Sequence, residues 1–344
     1  MSNQFINDLK INISLATKPV SQAGFGTPLI LGEKSAGVLL GTYNEFADLA
    51  SMLTAGFTSS DPEYKMASAI FAQSPTVPKI AIYVRDTDDL IADVVALVAD
   101  RDWYVLLIPE RDKASLHSAG DAASSIDKIF FGCTSDITAL DSRNNIREAY
   151  LIHSSPETYP ECALVGMCLP KTPGSYTWKW KAPNGVTASN FTLTQLNTIR
   201  EKHGFTMSER AGIVYSDEGI TTGGEYIDII QIRDYIKSTL GTDIFSLQVN
   251  CDKIPYTNQG ITQIESVIRT RLRICGSMGM IATVDTDADK KNSDEGIYQY
   301  TVTIPERSDI AAIDRAARKI PGVAFKLIAS GAVHELTIDG VITV

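Results

Sequence analysis

Three stretches of this 344-residue chain carry residue types that could do chemistry. Asp285, Asp287 and Asp289 alternate like the opening ligands of a calcium loop. That loop needs Gly at its sixth position and Glu at its twelfth. Lys290 and Gly296 stand there, so Asp285 to Glu295 reads as an exposed charged loop. Gly26 to Ser35, GTPLILGEKS, has the outline of a phosphate-binding loop. Such a loop needs four residues between its glycines and Lys directly after the second. Here five intervene and Glu33 precedes Lys34, so a strand entering a turn is expected. His153-Ser154-Ser155 follows a strand-like run, where α/β enzymes place catalytic groups, but Pro156 makes a serine-rich loop the ordinary explanation.

The remaining polar candidates do not converge. His117, His153, His203 and His334 lack ligand spacing, and there is neither a G-x-S-x-G elbow nor a paired-histidine helix. Cys133, Cys162, Cys168, Cys251 and Cys275 form no C-x-x-C pair, and an odd count leaves one over. Buried reduced thiols are expected. Trp178 and Trp180 alternate with Lys179 and Lys181, which suggests a base-stacking platform. In an acidic chain, a strand with its tryptophans on a core fits better. No catalytic, cofactor-binding or metal residue is assigned. A cytosolic α/β enzyme such as a hydrolase is the competing reading, and a convergent polar site would be its mark.

Composition sets the outer bounds. Hydrophobic residues make up 44% and charged residues 21%, ordinary for a globular protein with a sizeable core. The net charge of −10 argues against direct nucleic-acid binding, which needs a basic surface. No apolar run reaches the roughly 20 residues of a membrane helix, so no membrane insertion is expected. Residues 1–20 lack a basic start followed by an apolar core, which points to a chain kept in the cytosol.

The elements that would position any site can be read in order. Leu9, Ile11, Ile13 and Leu15 alternate with Lys10, Asn12 and Ser14, a half-buried strand. Thr27 to Gly32 reads as a strand and Tyr43 to Leu53 as a helix. Asp61-Pro62 opens a helix running to about Gln73. Strands at Lys79–Arg85, Trp103–Pro109, Lys128–Gly132 and Ala149–His153 are spaced by helices at Asp88–Asp100 and Ser115–Ser125. That alternation predicts an α/β layer on a mainly parallel sheet, over residues 27–170. Cys162 to Leu169 is compatible with helix or strand. Leu169 to Pro183 reads as a boundary. Helices are then expected at Thr192–His203, Glu225–Leu240 and Ser308–Lys319, with strands at Ala211–Tyr215, Asp243–Val249, Tyr298–Ile304 and Val323–Ala329. At the C-terminus Leu336, Ile338, Ile342 and Val344 share one face, with a hairpin signal at Asp339-Gly340.

The most informative stretch is Cys251 to Gly279. Pro255 halts regular structure, Thr257-Asn258 offers a cap, and apolar residues recur at Ile264, Val267, Ile268, Leu272 and Ile274. Glu265, Arg269, Arg271 and Arg273 mark the opposite side, the cations near the C-terminal end where a helix dipole favours them.

Lys253-Ile254-Pro255-Tyr256-Thr257, two residues, then Gly260-Ile261 and an apolar helix resembles the core domain of contractile tail sheath proteins of phages and phage-derived injection particles. Trp178-Lys179-Trp180-Lys181, Gly185-Val186-Thr187-Ala188-Ser189 and Gly224-Glu225-Tyr226-Ile227-Asp228 occur in the order such sheaths show. The resemblance is good from about Tyr176 onward, fair over 10–31 and weak between. It implies an α/β to α+β fold whose core domain is the C-terminal half plus the N-terminal strand, with an outer α/β domain inserted. The expected division is 1–26 and 334–344 as strand arms, 27–170 outside, and 171–333 as core. The implied function is structural, not enzymatic and without cofactors: strand exchange builds stacked hexameric rings around an inner tail tube protein. The resemblance also implies baseplate and tail terminator partners, contraction that drives the tube through a bacterial envelope, and a place in a virion tail or tail-like particle assembled in the host cytoplasm. Arg269, Arg271 and Arg273, or Arg315, Arg318 and Lys319, would then face the tube.

Overall fold

The computed structural model describes residues 24–33 and 38–334. From the N-terminal side, β1 (Pro28–Glu33) and β2 (Tyr43–Phe46) precede α1 (Leu49–Thr54) and α2 (Pro62–Phe71). Then β3 (Ile80–Arg85), α3 (Ile91–Leu97), β4 (Val105–Leu107), α4 (Lys113–Ser125), β5 (Ile129–Thr134) and β6 (Glu148–Ile152) alternate. These six strands form one sheet in the order β2-β3-β1-β4-β5-β6, parallel except for β2. The α/β layer read from the alternation is therefore present.

Period two along the strands sorts side chains onto two faces. Leu29, Leu31, Leu106, Phe130 and Tyr150 pack under α3 and α4. Ile30, Ile82, Leu107, Phe131 and Leu151 join the opposite core with α2 and with α5 (Pro160–Cys168). Cys162 to Leu169 thus resolves as helix, buried on almost every side. Gly166 lets it approach α2, since a Cβ there would lie 2.6 Å from the Ile70 carbonyl oxygen.

After α5 come α6 (Leu193–Glu201), β7 (Met207–Arg210) and β8 (Ile213–Ser216). Thr192 and Gln195 close a reciprocal capping box on α6. The β7–β8 turn is Ala211-Gly212, both at positive φ, as a two-residue hairpin requires. The chain ends with α7 (Ile227–Asn250), α8 (Asn258–Ser277), β9 (Tyr300–Thr303), α9 (Ala312–Ala316) and β10 (Ala324–Leu327), β9 and β10 pairing antiparallel.

The first half of α7 lies on the sheet. Ile227, Ile230, Ile236 and Leu240 enter the same core as Ile30 and Phe131, so residues on both sides of position 170 share one apolar layer. A buried ionic network reinforces it. Arg147 makes a two-pronged pair with Asp234 on α7, and Tyr104 donates to the same carboxylate at 2.8 Å. Arg147 also lies 3.3 Å from Asp127, which Lys237 reaches at 3.0 Å.

Four expected elements differ. Asp243 to Val249 is helix, not strand: α7 runs through Gly241 at ordinary helical φ. Phe245 and Val249 are 43% and 64% exposed, so the burial that a strand reading assumes is absent. Contact with α8 overrides β-propensity there. Tyr43 to Leu53 splits into β2 and α1 because the Asp48 carboxylate accepts from Ser51 N–H at 2.7 Å and starts the helix late. Trp178 to Lys181 is a turn: Trp178 is fully buried, whereas Trp180, at φ 63°, is 45% exposed. The Ser308–Lys319 helix shrinks to Ala312–Ala316, ended by Arg318 in the left-handed region.

Lys128 is the unusual buried cation. Its ammonium donates to the Trp103 carbonyl and sits 4.7 Å from that ring's centre, and burial lowers its pKa to about 8. Below pH 8 both folded and unfolded chains keep this proton, so the burial penalty is constant. Between 8 and the free-lysine value near 10.4 the folded chain releases a proton that the unfolded chain keeps. Stability should therefore rise by about 1–3 kcal/mol over that window. Urea titrations across pH should show this, and Lys128→Met should flatten it; an unchanged rise in the variant would assign it to another group.

Candidate functional site

The Lys253 to Ile261 stretch is a fastening at the head of α8. Thr257 caps the helix, its hydroxyl accepting from Gly260 N–H. Gly260 is required by contact: a Cβ would lie 1.9 Å from the Pro255 carbonyl oxygen. Tyr256 Oη donates to the Lys319 carbonyl at 2.6 Å, tying this loop to the turn after α9. Ile261, Ile268, Leu272 and Cys275 form the buried face of α8, and Tyr298 fills the space beside Gly276.

On its other face the three arginines are each paired within the chain. Arg269 bonds Glu265 and Asp294 at 2.8 and 2.7 Å. Arg271 forks onto Asp243 of α7, and that hydrogen bond raises its pKa further. Arg273 bonds Glu295. Of the acidic partners, Glu265 was marked on the same helix face and Asp294-Glu295 lay in the charged loop, whereas Asp243 stood in an expected strand without a signal. Arg315 turns inward to the carbonyls of Arg307 and Ile310. Arg318 and Lys319 are exposed, in a turn beyond α9. The first group of cations is thus neutralised locally, and of the second only Arg318 and Lys319 face out.

Beside them, β9 and β10 make a two-stranded sheet with exposed Ile297, Val323, Ile328 and Val333 nearby. Two strands alone are marginal in water; the outward Tyr300 carbonyl and Val302 N–H of β9 are taken by Asp294, so the edge offered for pairing is that of β10. The expected inter-subunit strand residues Leu9, Ile11, Ile13, Leu15, Leu336, Ile338, Ile342 and Val344 lie outside the described residues.

The enzyme-like candidates are occupied by structural work. His153 is fully buried, one ring nitrogen meeting the Thr187 carbonyl at 2.9 Å and the other accepting from Ser155 N–H at 3.0 Å. Asp289 accepts from the Asp285 and Thr286 amides and so shapes its own loop. Of Gly26 to Ser35, Pro28 to Glu33 is strand, following a short 3-10 turn that ends at Gly26. Cys133, Cys162, Cys168 and Cys275 are buried thiols, and Cys251 is half-buried. Among the described residues no cluster of His, Cys, Asp and Glu could hold a metal, and no helix is long and apolar enough to cross a membrane.

Residues 227–342 match the family model for the E217 tail sheath protein gp31-like C-terminal domain. No curated protein matches the chain in sequence. The whole chain is similar in fold to a chain in the cryo-EM structure of the anti-feeding prophage baseplate, with TM-score 0.72 and 12% identity over 98% of each chain. The anti-feeding prophage helical sheath in its contracted state gives TM-score 0.69 and 13% identity, over 97% of this chain and 98% of that one. The sheath tail protein of Desulfitobacterium hafniense gives 0.59 and 11%, over 86% and 93%. The described fold, α/β with a mainly parallel sheet, is the one that these structures match.

Proposed function

We propose, from a chain that carries the fold of contractile sheaths along its length and a tail sheath family match over residues 227–342, that this protein is a structural subunit of a contractile tail sheath. The sequence match carries the reading, because fold similarity at 12% identity would fit other roles. Subunits stack as hexameric rings into a cylinder around an inner tube, with baseplate and terminator proteins at its ends. Strands within the terminal arms 1–26 and 334–344, beyond the buried Phe25 and the packed His334, cross to neighbours and complete open sheet edges such as that of β10. Residues 171–333 build the lattice and 27–170 face outward. Contraction drives the tube through a bacterial envelope, in a virion tail or tail-like particle assembled in the host cytoplasm. The role needs no catalytic step, and the internal employment of His153 and Asp289 supports that.

The tube contact falls to Arg318 and Lys319, since Arg269, Arg271 and Arg273 already hold acidic partners. Exposed pairs are weak singly, about 0–1 kcal/mol, and fall with salt, which suits a surface that must release. Negative-stain microscopy of the purified chain, alone and with the tube protein, should show rings or tubes. Arg318→Glu with Lys319→Glu should leave those empty sheaths intact but lose the tube at lower salt. Dispersed particles under every condition would sink the sheath reading; a reversed variant that grips the tube normally would sink this contact.

A further inference from the structure

His334 lies at the edge of the described chain, after the exposed run Gly331-Ala332-Val333. It is nevertheless held on three sides by residues distant in sequence. Its Nε2 is 3.0 Å from Thr177 Oγ1, and Tyr226 meets the ring edge-on at 4.8 Å. Its Nδ1 is 3.9 Å from Glu218 Oε2, and the imidazole is only 13% exposed.

Thr177 Oγ1 accepts from Lys179 N–H and keeps both a second lone pair and its own hydrogen, so it can pair with Nε2 whether or not that nitrogen carries a proton. A ring that carries both protons points Nδ1–H at Glu218. The far oxygen of Glu218 is engaged by Lys179, while Oε2 has no hydrogen-bond partner among the described residues. Asp228, in the first turn of α7, also feels the ring; burial raises its pKa and a cationic His334 opposes that. The groups around the imidazole are therefore Glu218 and Asp228, with Lys179 beyond Glu218 and Glu225 beyond Asp228.

We propose that His334 is a proton-operated anchor that fixes where the C-terminal segment leaves the fold. In the neutral state the ring is held by Thr177 and by packing on Tyr226. When it gains a proton, Glu218 Oε2 receives a charged partner and the anchor tightens; the proton comes from solvent and returns to it. Imidazole is the ordinary side chain that changes charge between pH 5 and 8. Since the tightened state binds the extra proton, protection should grow as pH falls through that window and fade as it rises. The sheath reading gives this a use, because His334 sets the point from which a C-terminal arm would start; the anchor itself does not depend on that reading.

Hydrogen exchange on the unassembled full chain tests it. The reporters are the amides of Ile328 and Ser330, bonded to the Gln299 and Met280 carbonyls just before the anchor. After correction for intrinsic exchange, they should be roughly two- to five-fold better protected at pH 5.5 than at pH 8. Glu218→Gln should abolish that pH dependence yet keep the protection seen at pH 8, and His334→Gln should do the same. His334→Ala should lose both. A flat wild-type profile, or a Glu218→Gln variant that keeps the dependence, would overturn the proton-operated part; wild-type protection in His334→Ala would overturn the anchor. A chain that forms tubes but fails here leaves the sheath reading standing, and one that passes here but never assembles does the reverse.

Discussion

Asp234→Ala is expected to destabilise the protein by about 3–5 kcal/mol, because it leaves Arg147 charged and buried without its two-pronged partner. Both side chains are almost fully enclosed, at 3% and 5% exposure. Asp127 remains 3.3 Å from Arg147 but is also engaged by Lys237, so it covers only part of the loss. Tyr104 loses its acceptor as well. Removing both charges is a different matter: Arg147→Met with Asp234→Leu should recover most of the stability, since an apolar pair avoids the desolvation cost. Urea midpoints of the two variants would decide. A single-variant loss below about 1 kcal/mol would mean that this network is incidental to the docking of α7.

Deleting Met1 to Ala16 should abolish polymerisation while leaving a folded, soluble monomer. The expectation rests on the clean alternation of Leu9, Ile11, Ile13 and Leu15, the pattern from which a donated strand is proposed. Among the described residues the six-stranded sheet is covered on both faces, so the fold should tolerate the loss. Sedimentation and microscopy should show monomers where the full chain forms tubes. Wild-type cylinders from the truncated chain would remove the arm from the mechanism.

Much of the fold was legible because local signals agreed with tertiary context. Asp61-Pro62 started α2, Thr257 capped α8, and the continuously apolar runs became the parallel strands of a two-faced sheet. Failures came where long-range contact decided. Nothing local separates Ile244-Phe245 as strand from the same residues as helix; the Arg271 fork onto Asp243 does. Gly241 looked like a stop, yet a glycine inside a helix costs only about 1 kcal/mol, and packing on both sides supplies more. The cationic face of α8 was visible, but its neutralisation was not, since Asp243, Asp294 and Glu295 approach it from outside the helix. The anchoring of His334 gave no sequence signal at all, its partners lying 108 to 157 positions away by chain.

The unbroken course of α7 has a mechanical meaning. Its 24 residues span about 36 Å; one half is bolted to the sheet by Asp234 and Lys237, the other is braced to α8 by Asp243. A protein jointed at Gly241 would let its two ends turn separately and lose torque as internal bending. A single helix gripped at both ends behaves as an axle, so a twist applied to the C-terminal half arrives at the sheet with little play. In a ring of such subunits, the inner and outer radii would turn together, and work released at one would reach the other without a clutch between them.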